Sequence, residues 1–493
     1  MITQKQAGYR QVMKATSIFG GVQVFTIIIS IIRSKFIAIL LGPMGMGISG
    51  LLTATLGMIA GMTNFGLATS AVKDIASAHS TGNEWRVSVI VSVFRRIMVL
   101  TGILGTLITL LFAPWLSMIT FKSHDYTLAF MWVSVTLLLN QLSAGQAVLL
   151  RGMRQIKYMA KATAFGSLLG LVTTIPLYYF YGVKGIVPAI IISAVFSLLL
   201  TWYFSKKLKI KPVPVSLSDT YNEGKDMMKL GFMISLSGLI ALGVSYAVRI
   251  FISNTGGVDQ VGLYNAGFAI VNTYVGMVFT AMSTDYYPRL SAVADNNEKC
   301  KETINQQAEI ALLILAPIIM VFIVFINWVI LLLYSVKFIP INDMILFAIV
   351  GMLFKAAGWA VAMIFLAKGA SKLFFLNELF ANGYLLVLNV IGYKYYGLTG
   401  LGISFLVAYV IYVIQVYIVT TREYKFRFTG DFIKIFSIQL ALAIICLVIV
   451  KLSSGLLSYA FGVIIIAVAS IVSYRELNRR IGIAGILSKM FKK

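Results

Sequence analysis

The sequence is poor in the residues that carry most enzymatic and metal chemistry. Its 493 residues include only two cysteines and two histidines, and charged residues make up 12%. The cysteines and histidines, Cys300, Cys446, His79 and His124, match no zinc, haem or redox spacing. A phosphate-cradling P-loop and a nucleophile elbow are also missing. We therefore expect no cofactor, no metal site and no ATP hydrolysis by this chain.

Long hydrophobic segments are what the sequence has instead. Hydrophobic residues make up 59% of the chain, and strand-type alternation is absent. Apolar stretches of about 20 residues recur, each long enough to cross ~30 Å of hydrocarbon. The pattern predicts an all-α integral membrane protein with about fourteen transmembrane helices, at 17–41, 46–68, 97–121, 127–149, 162–181, 185–205, 230–253, 262–286, 309–334, 343–367, 373–393, 398–420, 432–450 and 456–474.

Acidic residues are scarce, 17 against 41 lysines and arginines, and the basic residues are unevenly placed. With a cytoplasmic N-terminus, 32 of the 41 fall in cytoplasmic segments and five in the opposite loops. The positive-inside rule then predicts that both termini are cytoplasmic. The net charge of +24 is a topology signal, so we expect membrane lipids and no nucleic acid as partners.

The chain contains an internal repeat with an offset of about 215 residues. Gly182 matches Gly397, Gly152 matches Gly369, and the stretch from Arg33 to Gly47 matches that from Arg249 to Gly262. Many secondary transporters consist of two such repeats that rock around a central site. The repeat predicts two pseudosymmetric six-helix bundles, 1–205 and 230–420, joined by a cytoplasmic linker at 206–229. Residues 421–493 add two transmembrane helices and a basic cytoplasmic tail.

Four cationic residues inside predicted spans are candidates for substrate binding: Arg33, Lys35, Arg249 and Lys355. A charge at the centre of a span costs at least ~2.5–3.5 kcal/mol, so such a group usually faces a cavity or a partner. The alternative for Lys35 and Arg249 is snorkelling to the interface. Arg33 and Arg249 on equivalent helices would face each other across a central cavity. Guanidinium and ammonium groups there favour an anion, and a diphosphate is a natural occupant.

Three acidic residues near spans are candidates for ion coupling: Glu378, Asp285 and Asp74. An acid at membrane depth can bind a proton or sodium and couple its gradient to transport. Salt bridges at the cytoplasmic ends of helices are the alternative, particularly for Asp285 and Asp74.

Several motifs resemble those of the polysaccharide (O-antigen) flippases, within the multidrug/oligosaccharidyl-lipid/polysaccharide (MOP) exporter superfamily. The stretch from Arg33 to Gly47 resembles their helix 1 to helix 2 signature, and 64–67 and 72–76 resemble the end of helix 2. Asp285 to Ser291 resembles the end of helix 8. Residues 342–347, Lys355 and 366–369 resemble the region around helix 10. The likeness covers roughly residues 10 to 420.

The resemblance implies a V-shaped pair of bundles around a cationic cavity. It implies transfer of undecaprenyl-diphosphate-linked oligosaccharide from the cytoplasmic to the outer leaflet, driven by a proton or sodium gradient. It also implies a bacterial inner membrane location and, as partners, a polysaccharide polymerase and a chain-length regulator.

Three alternatives remain open from the sequence. A lipid II flippase would also use cavity arginines and fourteen helices. A cation-coupled multidrug exporter of the same superfamily should hold deep carboxylates, whereas the deep charges here are positive. A membrane glycan polymerase would need large outward loops, and the predicted outward loops are short.

Overall fold

The computed structural model describes residues 4–208, 210, 213–453 and 455–481, and this part of the chain contains no β-strand. Two 3₁₀ segments, Gly182–Gly185 and Val336–Ile341, and a π-helical turn, Ile270–Val275, interrupt the α-helices. The α-helices are, in chain order, α1 (Gln4–Leu40), α2 (Gly42–Thr63), α3 (Leu67–Ser80), α4 (Glu84–Leu111), α5 (Ala113–Phe121), α6 (Thr127–Gly152), α7 (Ile156–Tyr181), α8 (Ile186–Lys206), α9 (Leu217–Gly256), α10 (Val258–Ala269), α11 (Met277–Ser291), α12 (Asn297–Leu333), α13 (Asn342–Ala367), α14 (Ser371–Tyr424), α15 (Gly430–Leu452) and α16 (Leu456–Ile481).

The predicted spans fall mainly on helix, which confirms an all-α, multi-pass membrane protein. Eleven helical segments of the described residues are long and apolar enough to cross a membrane. Two of them hold two predicted spans each: Ile156–Lys206 contains the 3₁₀ segment after α7, and Ser371–Tyr424 bends at Gly397. The first predicted span falls on α1, which ends at Leu40, one residue before the predicted end.

In the predicted span 97–121, both the start and the continuity of the helix differ from the prediction because local sequence signals outweigh hydropathy. Helix α4 begins at Glu84, well before residue 97, since the Asn83 side chain accepts a hydrogen bond from the Arg86 backbone N–H at 2.9 Å. The same predicted span breaks at Phe112, and Pro114 then lies in the first turn of α5. Helix α3 was not predicted, because it is short and amphipathic.

The backbone confirms the repeat at an offset of 215 residues. Gly182 and Gly397 have almost the same dihedrals, φ 55° with ψ −133° and φ 56° with ψ −137°. Gly42 and Gly257 also both have positive φ, 65° and 92°. These are the left-handed conformations that glycine adopts without steric cost.

The same offset corrects one predicted match. Gly369 has φ 67°, and its structural counterpart is Arg154 with φ 55°, not Gly152. The backbone N–H of the following residue makes the same hydrogen bond in both copies. Gln155 donates to the Leu150 carbonyl and Ala370 donates to the Phe365 carbonyl, both at 2.8 Å. Both helices therefore end in the same left-handed cap.

The chain folds into two compact units. Unit 1 is Met1–Gly262 with Leu333–Ser335, and unit 2 is Leu263–Leu332 with Val336–Lys493. Helix α9 begins inside the predicted linker and packs against α2, α3, α4 and α5 within unit 1. Its packing thus groups this helix with the N-terminal helices, whereas the sequence placed residue 230 at the start of the second bundle.

Within each unit, polar bonds and small residues hold the helices together, as is usual in a membrane. In unit 2, Gly402 lets α14 approach α13 so closely that an added Cβ would lie 2.2 Å from the Met344 carbonyl. Helix α15 packs onto α13 through Phe354 and Phe436, whose ring centroids are 5.1 Å apart. In unit 1, three side-chain hydrogen bonds join α6 to α4 and α8: Gln141–Thr101 at 2.8 Å, Ser143–Ser197 at 2.8 Å and Ser205–Gln146 at 2.6 Å.

Candidate anion-binding groups and buried carboxylates

Arg33 lies in unit 1, where α1 packs against α7. Its Nη2 donates to Thr174 Oγ1 at 3.0 Å and Ser193 Oγ at 3.1 Å. Gly170 lies beside it, and an added Cβ there would be 3.6 Å from Nη2. Among the described residues, Nη1 and Nε have no acceptor and no carboxylate pairs with the group. The guanidinium is thus held by two neutral hydroxyls and keeps most of its fork for an anion.

Lys35 has a different setting two residues further along α1. Its Nζ donates to the backbone carbonyl of Tyr334 at 2.6 Å, and Tyr334 belongs to the short segment grouped with unit 1. The ammonium thus has a main-chain carbonyl as a hydrogen-bond partner. This contact favours a structural role for Lys35 over substrate binding.

Arg249 turns toward its own helix. Its Nη1 donates to the Ser245 backbone carbonyl at 2.9 Å and also to Ser245 Oγ. Arg249 also lies in unit 1, with Arg33. Counted back from the positive-φ glycines, Arg33 is nine residues before Gly42, whereas Arg249 is eight before Gly257. One residue rotates a side chain by about 100° around a helix. The predicted equivalence of the two arginines is therefore wrong by one residue.

Lys355 lies in unit 2 on α13. Its Nζ donates to Asn272 Oδ1 at 3.0 Å, and Asn272 belongs to the π-helical turn. The same ammonium lies over the rings of Phe405 and Tyr409, 5.6 and 5.2 Å from their centroids. In cation–π contacts of this kind the ring faces attract the ammonium electrostatically. In the described part of the chain, Asn272 is its one hydrogen-bond acceptor, so Lys355 also lacks a carboxylate partner.

Glu378 lies in unit 2 on the first half of α14. Its Oε1 accepts a hydrogen bond from the Tyr412 hydroxyl at 3.1 Å, across the bend at Gly397. The described residues provide no cation for this half-buried carboxyl group. The Tyr384 hydroxyl is buried and lacks a partner in the same part of the chain. A carboxyl group with one neutral donor at membrane depth is a natural proton-binding site.

The other two predicted coupling residues lie in more polar surroundings. The Asp285 side chain is 82% exposed, and its carboxylate is 3.7 Å from Arg289 one turn later on α11. This exposed pair matches the salt-bridge alternative.

Asp74 on α3 lines a pocket of about 360 Å³ together with Arg86 and Glu223. Arg86 and Glu223 form a bidentate pair, at 2.7 and 2.9 Å. Burial, and to a smaller degree the charge of Glu223, raise the pKa of Asp74, while Lys73 and Arg86 oppose the shift. The pocket joins α3 and α4 to the start of α9.

Two features were missed by the sequence reasoning. Arg95, predicted to lie in a cytoplasmic loop, is in the fourth turn of α4, and its Nε is buried without an acceptor among the described residues. Glu309 on α12 is 7% exposed and accepts from Arg480 Nε at 2.7 Å, and Arg480 also contacts Glu476. The Asn83 cap, which starts α4 at Glu84, would have revealed that Arg95 lies on this helix. The spacing of Glu476 and Arg480, one helical turn, was the only local signal for the second.

The same architecture is found in known membrane transporters. The structure is similar to that of the lipid II flippase MurJ in an inward closed conformation, with a TM-score of 0.69 and 12% identity over 95% of this chain and 99% of that one. It is also similar to an inward-facing multidrug resistance MATE family transporter of the MOP superfamily, with a TM-score of 0.68 and 16% identity over 81% of this chain and 95% of that one. At these identities the likeness concerns the fold, and it confirms the predicted fold class.

The sequence comparison identifies the family. The model of the family described as "Polysaccharide biosynthesis protein" matches residues 36–343, so the chain belongs to that family. A relative from Shigella flexneri, named "Putative O-antigen transporter", is 26% identical over 301 residues, 60% of this chain and 70% of the relative. The Shigella flexneri relative and the two structural neighbours are named as transporters or flippases. The prediction that the chain is not an enzyme is thus confirmed.

Proposed function

We propose that this protein is a flippase for undecaprenyl-diphosphate-linked oligosaccharide, of the O-antigen repeat-unit type, working by alternating access in the bacterial inner membrane with both termini in the cytoplasm. One observation carries the proposal. Arg33 in unit 1 and Lys355 in unit 2 are cations inside spans whose described partners are all neutral. Each can therefore take a phosphate oxygen without first giving up a carboxylate.

The family and the relative support the saccharide part of the proposal, since one is described by polysaccharide biosynthesis and the other by O-antigen transport. In this account the translocated unit is then used by a polymerase with a chain-length regulator. A multidrug exporter for cationic compounds fits less well, because a cationic drug would meet Arg33 and Lys355 rather than carboxylates.

We further propose that Glu378 couples transport to a proton gradient. The support is its lack of a cationic partner among the described residues and its single hydrogen bond from Tyr412. Proton binding removes a charge that is expensive at this depth, so the protonated and ionised forms can favour different conformations.

Reconstitution into proteoliposomes tests the function. The assay compares undecaprenyl-diphosphate-linked oligosaccharide, lipid II and an undecaprenyl-linked neutral glycan. For each lipid, transfer is measured as the fraction that becomes accessible to a reagent added on the opposite side of the bilayer. We expect transfer of the first, slower transfer of lipid II and none of the neutral lipid. Preference for lipid II would favour the lipid II flippase alternative, and equal transfer of the neutral lipid would contradict the diphosphate proposal.

A further inference from the structure

A π-helical turn separates α10 from α11, at Ile270–Val275. The Gly276 N–H closes it with a bond to the Val271 carbonyl at 3.1 Å, five residues earlier. A Cβ at position 276 would lie 2.1 Å from the Asn272 carbonyl oxygen, so this geometry requires glycine there. Such turns cost helix regularity and often occur at functional sites.

The fold itself does not require this turn, because the first copy of the repeat lacks it. At the offset of 215 residues, Asn272 and Gly276 correspond to Gly57 and Gly61, which lie within the uninterrupted helix α2. The counterpart of Lys355 is Asn140, a neutral residue. The cation, its acceptor and the turn that holds the acceptor are thus all specific to the second copy.

The contact between Lys355 and Asn272 has a neutral acceptor and is accessible. Asn272 is exposed, and its Oδ1 accepts from Lys355 Nζ at 3.0 Å while Phe405 and Tyr409 lie beneath the ammonium. An amide oxygen fixes the direction of the ammonium without neutralising it. An anionic phosphate oxygen adds Coulomb attraction that the neutral amide oxygen lacks, so it can replace the amide favourably.

We propose that Asn272, presented by the π-helical turn, positions Lys355 Nζ for a phosphate oxygen of a lipid diphosphate and is displaced when that oxygen binds. Asn272 is a positioning residue, and Gly276 is required for its placement. This inference rests on the proposed function, because it assumes a phosphorylated lipid as the occupant of the Lys355 site. A carboxylate at position 272 would occupy the ammonium permanently and remove the site.

Binding of undecaprenyl diphosphate to the full-length protein in detergent micelles tests this. Asn272→Asp should weaken binding at least about tenfold, which corresponds to about 1.4 kcal/mol, because the new carboxylate pairs with the ammonium. Thr273→Asp is the matched control, since it adds the same charge to the next residue, which is also exposed but points about a quarter-turn or more away. It should change the affinity less than about threefold.

A double-mutant cycle separates positioning from general damage. In a Lys355→Ala background, Asn272→Asp should have no further effect on binding. If Asn272→Asp does not fold, Asn272→Ala replaces it in the same cycle and should be equally silent without Lys355. Equal effects of the two aspartates, or additivity in the cycle, would overturn the inference. Failure of the unmodified protein to bind any diphosphate lipid would instead overturn the proposed function.

Discussion

Gly47 and Gly262 each face the main-chain carbonyl of the residue four positions before the other. An added Cβ at Gly47 would be 2.0 Å from the Val258 oxygen, and one at Gly262 would be 1.9 Å from the Pro43 oxygen. Both glycines lie in unit 1 and are 215 residues apart. The repeat therefore brings the starts of α2 and α10 together in a reciprocal contact at backbone distance.

Gly47→Ala and Gly262→Ala should each destabilise the protein. The added methyl group cannot fit against a carbonyl without moving a helix, and overpacking of this kind costs about 1–3 kcal/mol or more. Thermal unfolding in detergent measures the effect. Gly57→Ala is the control, because nothing lies within 4 Å of its added Cβ. Gly57→Ala should be neutral or stabilise the helix by about 0.5–1 kcal/mol. An equal fall in the unfolding temperature of all three variants would contradict the contact.

Arg154→Gly should stabilise unit 1. Arg154 has φ 55°, where a side chain costs roughly 1–2 kcal/mol, and its counterpart in the repeat is already glycine. We expect a higher unfolding temperature for Arg154→Gly and none of this gain for Arg154→Ala, which keeps the Cβ. An equal rise for both variants would show that loss of charge, not backbone strain, is responsible.

Arg480→Ala should weaken the attachment of α16 to α12. The variant leaves Glu309 buried without its cation, and breaking a buried pair in this way costs about 3–5 kcal/mol. Limited proteolysis near the C-terminal end of α16 and thermal unfolding check the result. Arg479→Ala is the control, because the Arg479 side chain is 60% exposed and its ion pairs are at the surface.

Asp74→Asn should stabilise the protein at neutral pH. A raised folded-state pKa means that the folded protein holds the proton more tightly, so the free energy of unfolding falls as pH rises from the ordinary value of 3.8 through the folded pKa. The variant removes this loss, and its advantage should vanish at pH values below both pKa values. Unfolding measured across pH checks this, and a gain that persists in acid would contradict it.

Glu378→Gln should uncouple transport from the gradient. The amide can still accept from Tyr412 but cannot exchange a proton, so downhill transfer should persist while acceleration by an imposed pH gradient is lost. Asp285→Asn is the matched control, since Asp285 is exposed at the surface, and its gradient response should be unchanged. A normal gradient response from Glu378→Gln would exclude the residue as the coupling group.

Hydropathy and spacing were sufficient for the spans and the repeat, and they singled out Arg33 and Lys355 as candidate binding residues, a role that stays a prediction. Arg33 and Lys355 were found because charge is expensive at that depth, and both have described partners that are neutral. Arg249 was matched to Arg33 by a register one residue too long, and in a helix one residue changes the face completely. Sequence similarity around a glycine does not fix that register, whereas the backbone dihedrals of Gly42 and Gly257 do.

The local irregularities could not be predicted from the same signals. The π-helical turn at Asn272 leaves the apolar composition of its span unchanged, and Gly276 reads as one more small residue in a membrane helix. Arg95 was placed outside the membrane because the hydropathy window began after it, although the cap at Asn83 starts the helix earlier. Such features depend on individual side chains and backbone hydrogen bonds. Hydropathy averaged over about twenty residues does not show them.

Translocation of undecaprenyl-diphosphate-linked oligosaccharide by Arg33→Ala and Lys355→Ala in proteoliposomes tests the central claim most directly. Each loses a charged hydrogen-bond donor, so the rate should fall at least about tenfold at unchanged protein content. The controls Arg289→Ala and Lys301→Ala, whose cations pair with carboxylates near helix ends, should keep the normal rate. Normal transport by both test variants would contradict the account.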